Sequence, residues 1–179
     1  APLGVILQYA GKQSSNFTTE QVLKMLGYKV YGKPGSWSKG IRAVQDYLVS
    51  VGIPRSQYTL LNGSGLSRRN RCSPLLFAKV LHASLKSFAI RPDFIVAQAI
   101  AGFDGTLRNR MKRTRAAGIV RAKTGTIDGV SSLSGYVETA NHRLLIFSIM
   151  MNGRKRQGSS FRRVQNRIVR LLTRFASSE

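Results

Sequence analysis

The sequence predicts an α+β fold, with antiparallel strands packed against helices. Two observations carry this. Apolar runs at residues 130–137 and 144–151 are separated by the turn-forming Thr139-Ala-Asn141-His142, the pattern of an antiparallel meander. Elsewhere apolar residues return at helical spacing between Gly, Pro and Ser breaks. The chain has 179 residues, enough to bury a core as one unit. It divides into a helical part, about 1–117, and a sheet with a C-terminal helix, about 118–179.

Taken in order, residues 1–10 give no clean secretion signal, because no basic segment precedes their apolar run. Residues 11–17 read as a turn that holds Ser14 and Asn16. Thr18 then reads as a helix N-cap, with Gln21 three residues later and Gly27 as the terminator. Ile41, Val44, Tyr47, Leu48 and Val51 mark a second helix, which Gly52-Ile53-Pro54 ends. Ser73-Pro74 reads as an N-cap with proline in the first turn, opening a helix with Phe77, Val80, Leu81, Leu85 and Phe88 on its apolar side. A shorter apolar segment carries Phe94, Ile95, Ala97 and Ile100. Phe161, Val164, Ile168, Leu171, Leu172 and Phe175 trace the stripe of a final amphipathic helix that is expected to pack on the sheet. No apolar run reaches the length of a membrane span, and no internal repeat is visible.

The most informative stretch is Arg121-Ala-Lys123-Thr124-Gly125-Thr126, which closes a strand beside the run Ser131-Ser-Leu-Ser-Gly-Tyr136. A strand edge can take an extended peptide as a further strand, and Gly125 offers no side chain to block it. Lys123 and Thr124 would present an ammonium and a hydroxyl to an anionic peptide end.

Lys-Thr-Gly together with the earlier Ser14-x-Asn16 resembles the serine acyltransferases of the penicillin-binding and β-lactamase superfamily. More narrowly, the chain resembles the D-alanyl-D-alanine carboxypeptidase and endopeptidase family of the penicillin-binding protein 4 (DacB-like) type. The match includes Pro34-Gly-Ser36-Trp37-Ser-Lys39-Gly40, Asn62-Gly63-Ser64-Gly65-Leu66-Ser67-Arg68, Ala101-Gly102-Phe-Asp104-Gly105-Thr106-Leu107 and Val130-Ser-Ser-Leu-Ser-Gly135-Tyr136. Their order fits the C-terminal part of the family's transpeptidase-like domain.

The resemblance implies a periplasmic serine peptidase that acts on peptidoglycan stem peptides through an acyl-enzyme, binds β-lactam antibiotics and needs no cofactor. It assigns Ser14, Asn16 and Lys123 to catalysis. Ser14 would serve proton transfer, Asn16 would hold the acylated substrate's amide or the neighbouring lysine, and Lys123 would complete the network. Thr124, Gly125 and Thr126 would bind substrate, with the Thr124 hydroxyl on the terminal carboxylate and the Thr126 N–H in the oxyanion hole. The family's nucleophilic Ser-x-x-Lys lies upstream of Ser-x-Asn, and no such segment stands there. Ser36-Trp-Ser-Lys39, the single Ser-x-x-Lys of the chain, is expected to be a helix cap and a surface lysine. A missing N-terminal segment or a partner chain is therefore expected to supply the nucleophile and to cover an open sheet edge. Ser15 stands where the family commonly has Asn or Asp, and Asn62 where it usually has Asp.

The charge lies outside this pattern. Twenty-nine basic residues against seven acidic give +22, and no Asp or Glu occurs between Glu138 and Glu179. Arginines and lysines cluster at residues 68–71, 108–115, 154–156 and 162–174, a balance that attracts polyanions. A second reading follows: a non-catalytic polyanion-binding or RNA-binding protein on the same fold fragment. No specific nucleic-acid motif accompanies the charge, and Phe77, Phe88, Phe147 and Phe161 read as core aromatics. One cysteine, Cys72, excludes an internal disulfide, and His82 and His142 have no ligand cluster near them, so no metal site is expected.

Overall fold

The computed structural model describes residues 1–155 and 157–176. Among these described residues six α-helices run in chain order as α1 (Leu3–Gln13), α2 (Asn16–Tyr31), α3 (Trp37–Ser50), α4 (Pro74–Lys86), α5 (Arg91–Val96) and α6 (Gly158–Leu172). Four strands, β1 (Ala99–Ile100), β2 (Val120–Ile127), β3 (Val130–Glu138) and β4 (Leu144–Asn152), form an antiparallel sheet in the order β1-β2-β3-β4. The expected meander is β2 to β4. Its 139–143 turn is closed by Thr139, which hydrogen-bonds both Asn141 and the Arg143 amide.

Alternation along β3 sends side chains to two different layers. Ser131 faces α6, where its hydroxyl accepts from Gln165 Nε2 at 3.1 Å. Tyr136 has the opposite parity and donates its hydroxyl to the Leu81 carbonyl of α4 at 2.9 Å. Helices thus cover both faces of the sheet. The main core lies between sheet and α6, around Leu107, Val120, Ala122, Leu133, Val137 and Val169. A smaller one joins Leu48, Ile53 and Leu76.

Several local expectations hold. Ser73 caps α4 by accepting from the Leu76 N–H, with Pro74 in the first turn. Ser36 caps α3, and Lys39 donates to the Gly32 and Lys33 carbonyls, so this Ser-x-x-Lys forms a helix start.

Others are corrected. Residues 3–13 are helical. Ser15, not Thr18, is the N-cap of α2, and Asn16 is its first residue. That helix runs past Gly27 to Tyr31, because Gly27 is a packing position: a Cβ there would stand 2.5 Å from the Gly40 backbone nitrogen of α3. Phe88 is 84% exposed and lies beyond the end of α4, while Phe77 sits at its margin, so neither is a core aromatic; Phe147 is buried as expected. On α6 the inward face is Gln165, Val169, Leu172 and Thr173, and Val164, Ile168, Leu171 and Phe175 point to solvent. The 3.6-residue period marks a helix without saying which of two adjacent faces meets the sheet. Arg156 and Glu179, counted in the charge pattern, lie outside the described residues.

Candidate active site

Strand β1 is only two residues long and pairs with Arg121 and Ala122 alone. From Lys123 onward that edge of β2 has no strand beside it. The Lys-Thr-Gly tripeptide thus begins where the sheet edge opens, the position from which an extended peptide could pair. On the other side Lys123, Thr124, Gly125 and Thr126 pair with Ser134, Leu133, Ser132 and Ser131 of β3. Gly125 has a second constraint, since a Cβ there would stand 2.4 Å from Ser132 Oγ.

Lys123 reaches across to the helical part. Its Nζ donates to Ser14 Oγ at 2.7 Å and to the Thr124 carbonyl at 2.9 Å. Burial pushes the Lys123 pKa below the ordinary lysine value, which eases its use as a proton acceptor. Ser14 terminates α1 in the left-handed region, φ 55° and ψ 44°, and this turn aims its hydroxyl at the sheet. Asn16 opens α2 one residue beyond the Ser15 cap, with an exposed side chain that bonds neither Ser14 nor Lys123. The structure therefore joins Ser14 to Lys123 and places Asn16 and the exposed Thr126 nearby in sequence without a side-chain bond to that pair.

Three neighbours of the pair carried no role in the sequence reading. Lys12 forms an ion pair with Asp104, whose other oxygen accepts from the Ile100 N–H at 2.7 Å. The end of α1 is thereby tied to β1. Close approach tightens the joint: a Cβ on Gly11 would stand 2.2 Å from the Ala97 carbonyl oxygen. Burial alone would raise the Asp104 pKa, but the Lys12 and Ile100 donors outweigh it and leave the carboxyl below its ordinary value. Thr106, in the turn after Asp104, accepts a hydrogen bond from the Thr124 hydroxyl at 2.9 Å. Two threonine hydroxyls thus lie together beside the open strand edge. Asp104 and Thr106 belong to a motif visible in the sequence, but their partners are distant along the chain.

The Asn62-Gly-Ser-Gly loop is held by Glu20 of α2, whose carboxylate accepts from Gly63 N, Ser64 N and Trp37 Nε1 at 3.2, 2.9 and 2.9 Å. Burial raises the Glu20 pKa and these donors lower it more. Asn62 stays inside the loop, donating to Ser64 and accepting from Asn70. Among the described residues no group of three or more His, Cys, Asp or Glu side chains could hold a metal.

The D-Ala-D-Ala carboxypeptidase 3 (S13) family model matches residues 1–175. The chain belongs to this family. It is 37% identical over 158 residues to a D-alanyl-D-alanine carboxypeptidase of an Actinomadura species, covering 86% of this chain and 29% of that protein. It is 30% identical over 154 residues to the D-alanyl-D-alanine carboxypeptidase DacB of Haemophilus influenzae, covering 85% of this chain and 32% of that one. The crystal structure of penicillin-binding protein 4 (dacB) from Haemophilus influenzae superposes with a TM-score of 0.87 at 26% identity, over 97% of this chain and 40% of that chain. A class A β-lactamase from Bacteroides cellulosilyticus shares the fold, with a TM-score of 0.70 at 19% identity. The chain thus spans about a third of the length of the curated relatives it matches.

Proposed function

We propose that this chain is the C-terminal part of the transpeptidase-like domain of a serine-type D-Ala-D-Ala carboxypeptidase or endopeptidase that acts on peptidoglycan stem peptides outside the inner membrane. The observation that carries the reading is the Lys123–Ser14 hydrogen bond, which assembles the two recognised motifs across 109 residues at an open strand edge. In this reading a serine from a segment outside the 179 residues, activated by a lysine one helical turn later, attacks the carbonyl carbon of the penultimate D-alanine. The peptide C–N bond breaks. The serine proton passes through the Ser14–Lys123 pair to the leaving amine, and water then hydrolyses the ester to regenerate the serine. Thr124, with Thr106 behind it, holds the terminal carboxylate. The Thr126 N–H donates to the oxyanion, and Asn16 swings to the acylated amide.

No helix among the described residues is long and apolar enough to cross a membrane, which is compatible with a periplasmic or secreted enzyme. The outer edge of β4 and the exposed Val164, Ile168 and Leu171 of α6 are where the nucleophile-bearing segment, or a partner chain that carries it, would pack. The test is intact-mass analysis after incubation with a penicillin. The chain alone should gain no adduct, and the chain combined with its nucleophile-bearing segment should gain one stoichiometric acyl group. An adduct on the chain alone would overturn the external-nucleophile reading. The second reading, non-catalytic polyanion or RNA binding, draws on the +22 charge and predicts no acylation in either sample.

A further inference from the structure

The Lys123 ammonium and the strongest charge lie on opposite faces of the sheet. Lys123 shares a face with Ser134 and Tyr136, the side of α4, and α6 lies against the other. On that far side a concave cleft of about 250 Å³ is lined by Arg113, Thr114, Arg115, Arg170, Thr173 and Arg174. A second hollow of about 240 Å³ continues it, sharing Arg170 and Arg174 and adding Arg167 and Leu171. Together they make a continuous arginine track.

We propose that this track is a binding site for a linear phosphate-bearing polymer, read through its backbone charge.

The cleft is built from two separate pieces of chain. Arg170 and Arg174 lie four residues apart at the end of α6, where the helix dipole favours cations and would explain their presence without a ligand. It does not explain Arg113 and Arg115. These come from a loop anchored by buried Met111 and Ala116 and shaped by left-handed backbone at Arg113, φ 54°. The loop is fixed internally, since Thr114 donates its hydroxyl to the Met111 carbonyl and accepts from the Ala116 N–H. The fixed turn therefore places Arg113 and Arg115 on one side of a hollow whose other side carries Arg170 and Arg174.

Like charges do not gather so without a counterion. Among the described residues none of the four arginines has a carboxylate within ion-pair distance, and no Asp or Glu occurs in residues 105–127 or 139–178. Arg110 donates to the neutral amides of Gln165 and Asn166 of α6, at 2.7–3.0 Å. Burial, helped by the nearby Arg162, lowers its pKa to about 10. Guanidinium groups bind phosphate oxygens in bidentate fashion, and a phosphate polymer presents one charged oxyanion after another to successive arginines. Two hollows that share Arg170 and Arg174 favour a chain that can span both over a single small anion. No aromatic side chain lines either hollow, so bases would find nothing to stack on.

The test uses linear inorganic polyphosphate of defined length, titrated into the 179-residue chain over a salt series. Arg170→Gln/Arg174→Gln is compared with a charge-matched control, Arg69→Gln/Arg91→Gln, after circular dichroism confirms that each is folded. The cleft variant should lose at least tenfold in affinity, with a log–log salt slope reduced by about 2, and the control should lose less than threefold. Equal losses in the two variants would mean diffuse attraction and overturn the proposal, as would no binding. Equally tight polyglutamate would remove the phosphate preference. Anionic phospholipid vesicles binding in place of polyphosphate would make the partner a membrane, and RNA binding tighter than polyphosphate at matched charge would show that bases are read; either outcome overturns it. Acylation plays no part in these readouts, so their failure is separate from any failure of the enzymatic reading.

Discussion

Replacing Asp104 by alanine tests whether the Lys12–Asp104 pair holds Ser14 in place. The substitution removes two interactions. One is the bond from Lys12, whose side chain is only 13% exposed and would be left as an unpartnered ammonium. The other is the bond from the Ile100 N–H at 2.7 Å. Both end on an ionised carboxylate, and a hydrogen bond to a charged group contributes about 1.5–3 kcal/mol. Discounting the first because Asp104 is 32% exposed, the total is about 2–3 kcal/mol. Asp104→Asn keeps an oxygen for Ile100 and should cost about half as much. Urea unfolding at pH 7 followed by circular dichroism measures both, and a Lys12→Met/Asp104→Ala double variant isolates the coupling, about 1 kcal/mol. The Asp104 pKa is depressed on folding, so its contribution is present above the ordinary aspartate value of about 3.9 and fades as pH falls through the lower folded value. In acid, wild type should converge with Asp104→Asn, because the protonated carboxyl keeps an oxygen for the Ile100 N–H. If Asp104→Ala lay within about 0.5 kcal/mol of wild type at pH 7, the clamp would be a surface contact and the argument for Ser14 placement would fail.

Three further outcomes are expected. Tyr136→Phe removes the bond from the Tyr136 hydroxyl to the Leu81 carbonyl and should destabilise the chain by about 1 kcal/mol in the same assay. Gly40→Ala places a Cβ 2.2 Å from the Leu23 carbonyl oxygen, forcing α2 from α3 at about 1–3 kcal/mol, read as a lower thermal midpoint. Lys123→Met should lower penicillin acylation of the enzyme completed by its nucleophile segment by 10²–10⁴-fold, the usual range for a lost acid–base group, while leaving the thermal midpoint within a few degrees. In that enzyme the acylation rate should rise with pH through a midpoint below the ordinary lysine value of about 10.4, because burial lowers the Lys123 pKa. A midpoint unmoved by Lys123→Met would assign that titration to another group.

What the sequence disclosed depended on how local each signal was. The α4 cap at Ser73-Pro74, the α3 cap at Ser36 and the β3–β4 hairpin were legible because the residues that form them are neighbours. Gly27 misled because a glycine that ends a helix and one that admits a second helix look alike in sequence; only the Gly40 contact separates them. Ser15 outranked Thr18 as the cap for a similar reason, since α1 ends immediately before it and fixes where α2 can begin. The side of α6 that meets the sheet was hidden because its centre is Gln165, a polar residue made suitable for burial by Ser131 and Arg110. At the site, the Ser14 and Lys-Thr-Gly motifs named the two side chains that the fold brings into contact, but the Lys12–Asp104 clamp joins residues 92 positions apart and leaves no periodic trace.

The geometry also limits how the two halves of this site can have come to depend on each other. Ser14 belongs to a helix end and Lys123 to a strand, and no backbone hydrogen bond joins those two residues. Their 2.7 Å contact is set indirectly, by the Gly11 approach to Ala97, the Asp104 bonds to Lys12 and Ile100, and the pairing of β1 with β2. Strand β1 is therefore more than a short edge. Its two residues carry α1 onto β2, and they stop where Lys123 begins, so one feature both orders the Ser14–Lys123 pair and leaves free the edge a peptide would need. Lengthening β1 by two paired residues would strengthen the clamp and close the edge together. With so short a ladder, the joint is held by the Lys12–Asp104 ion pair and the close-packed Gly11.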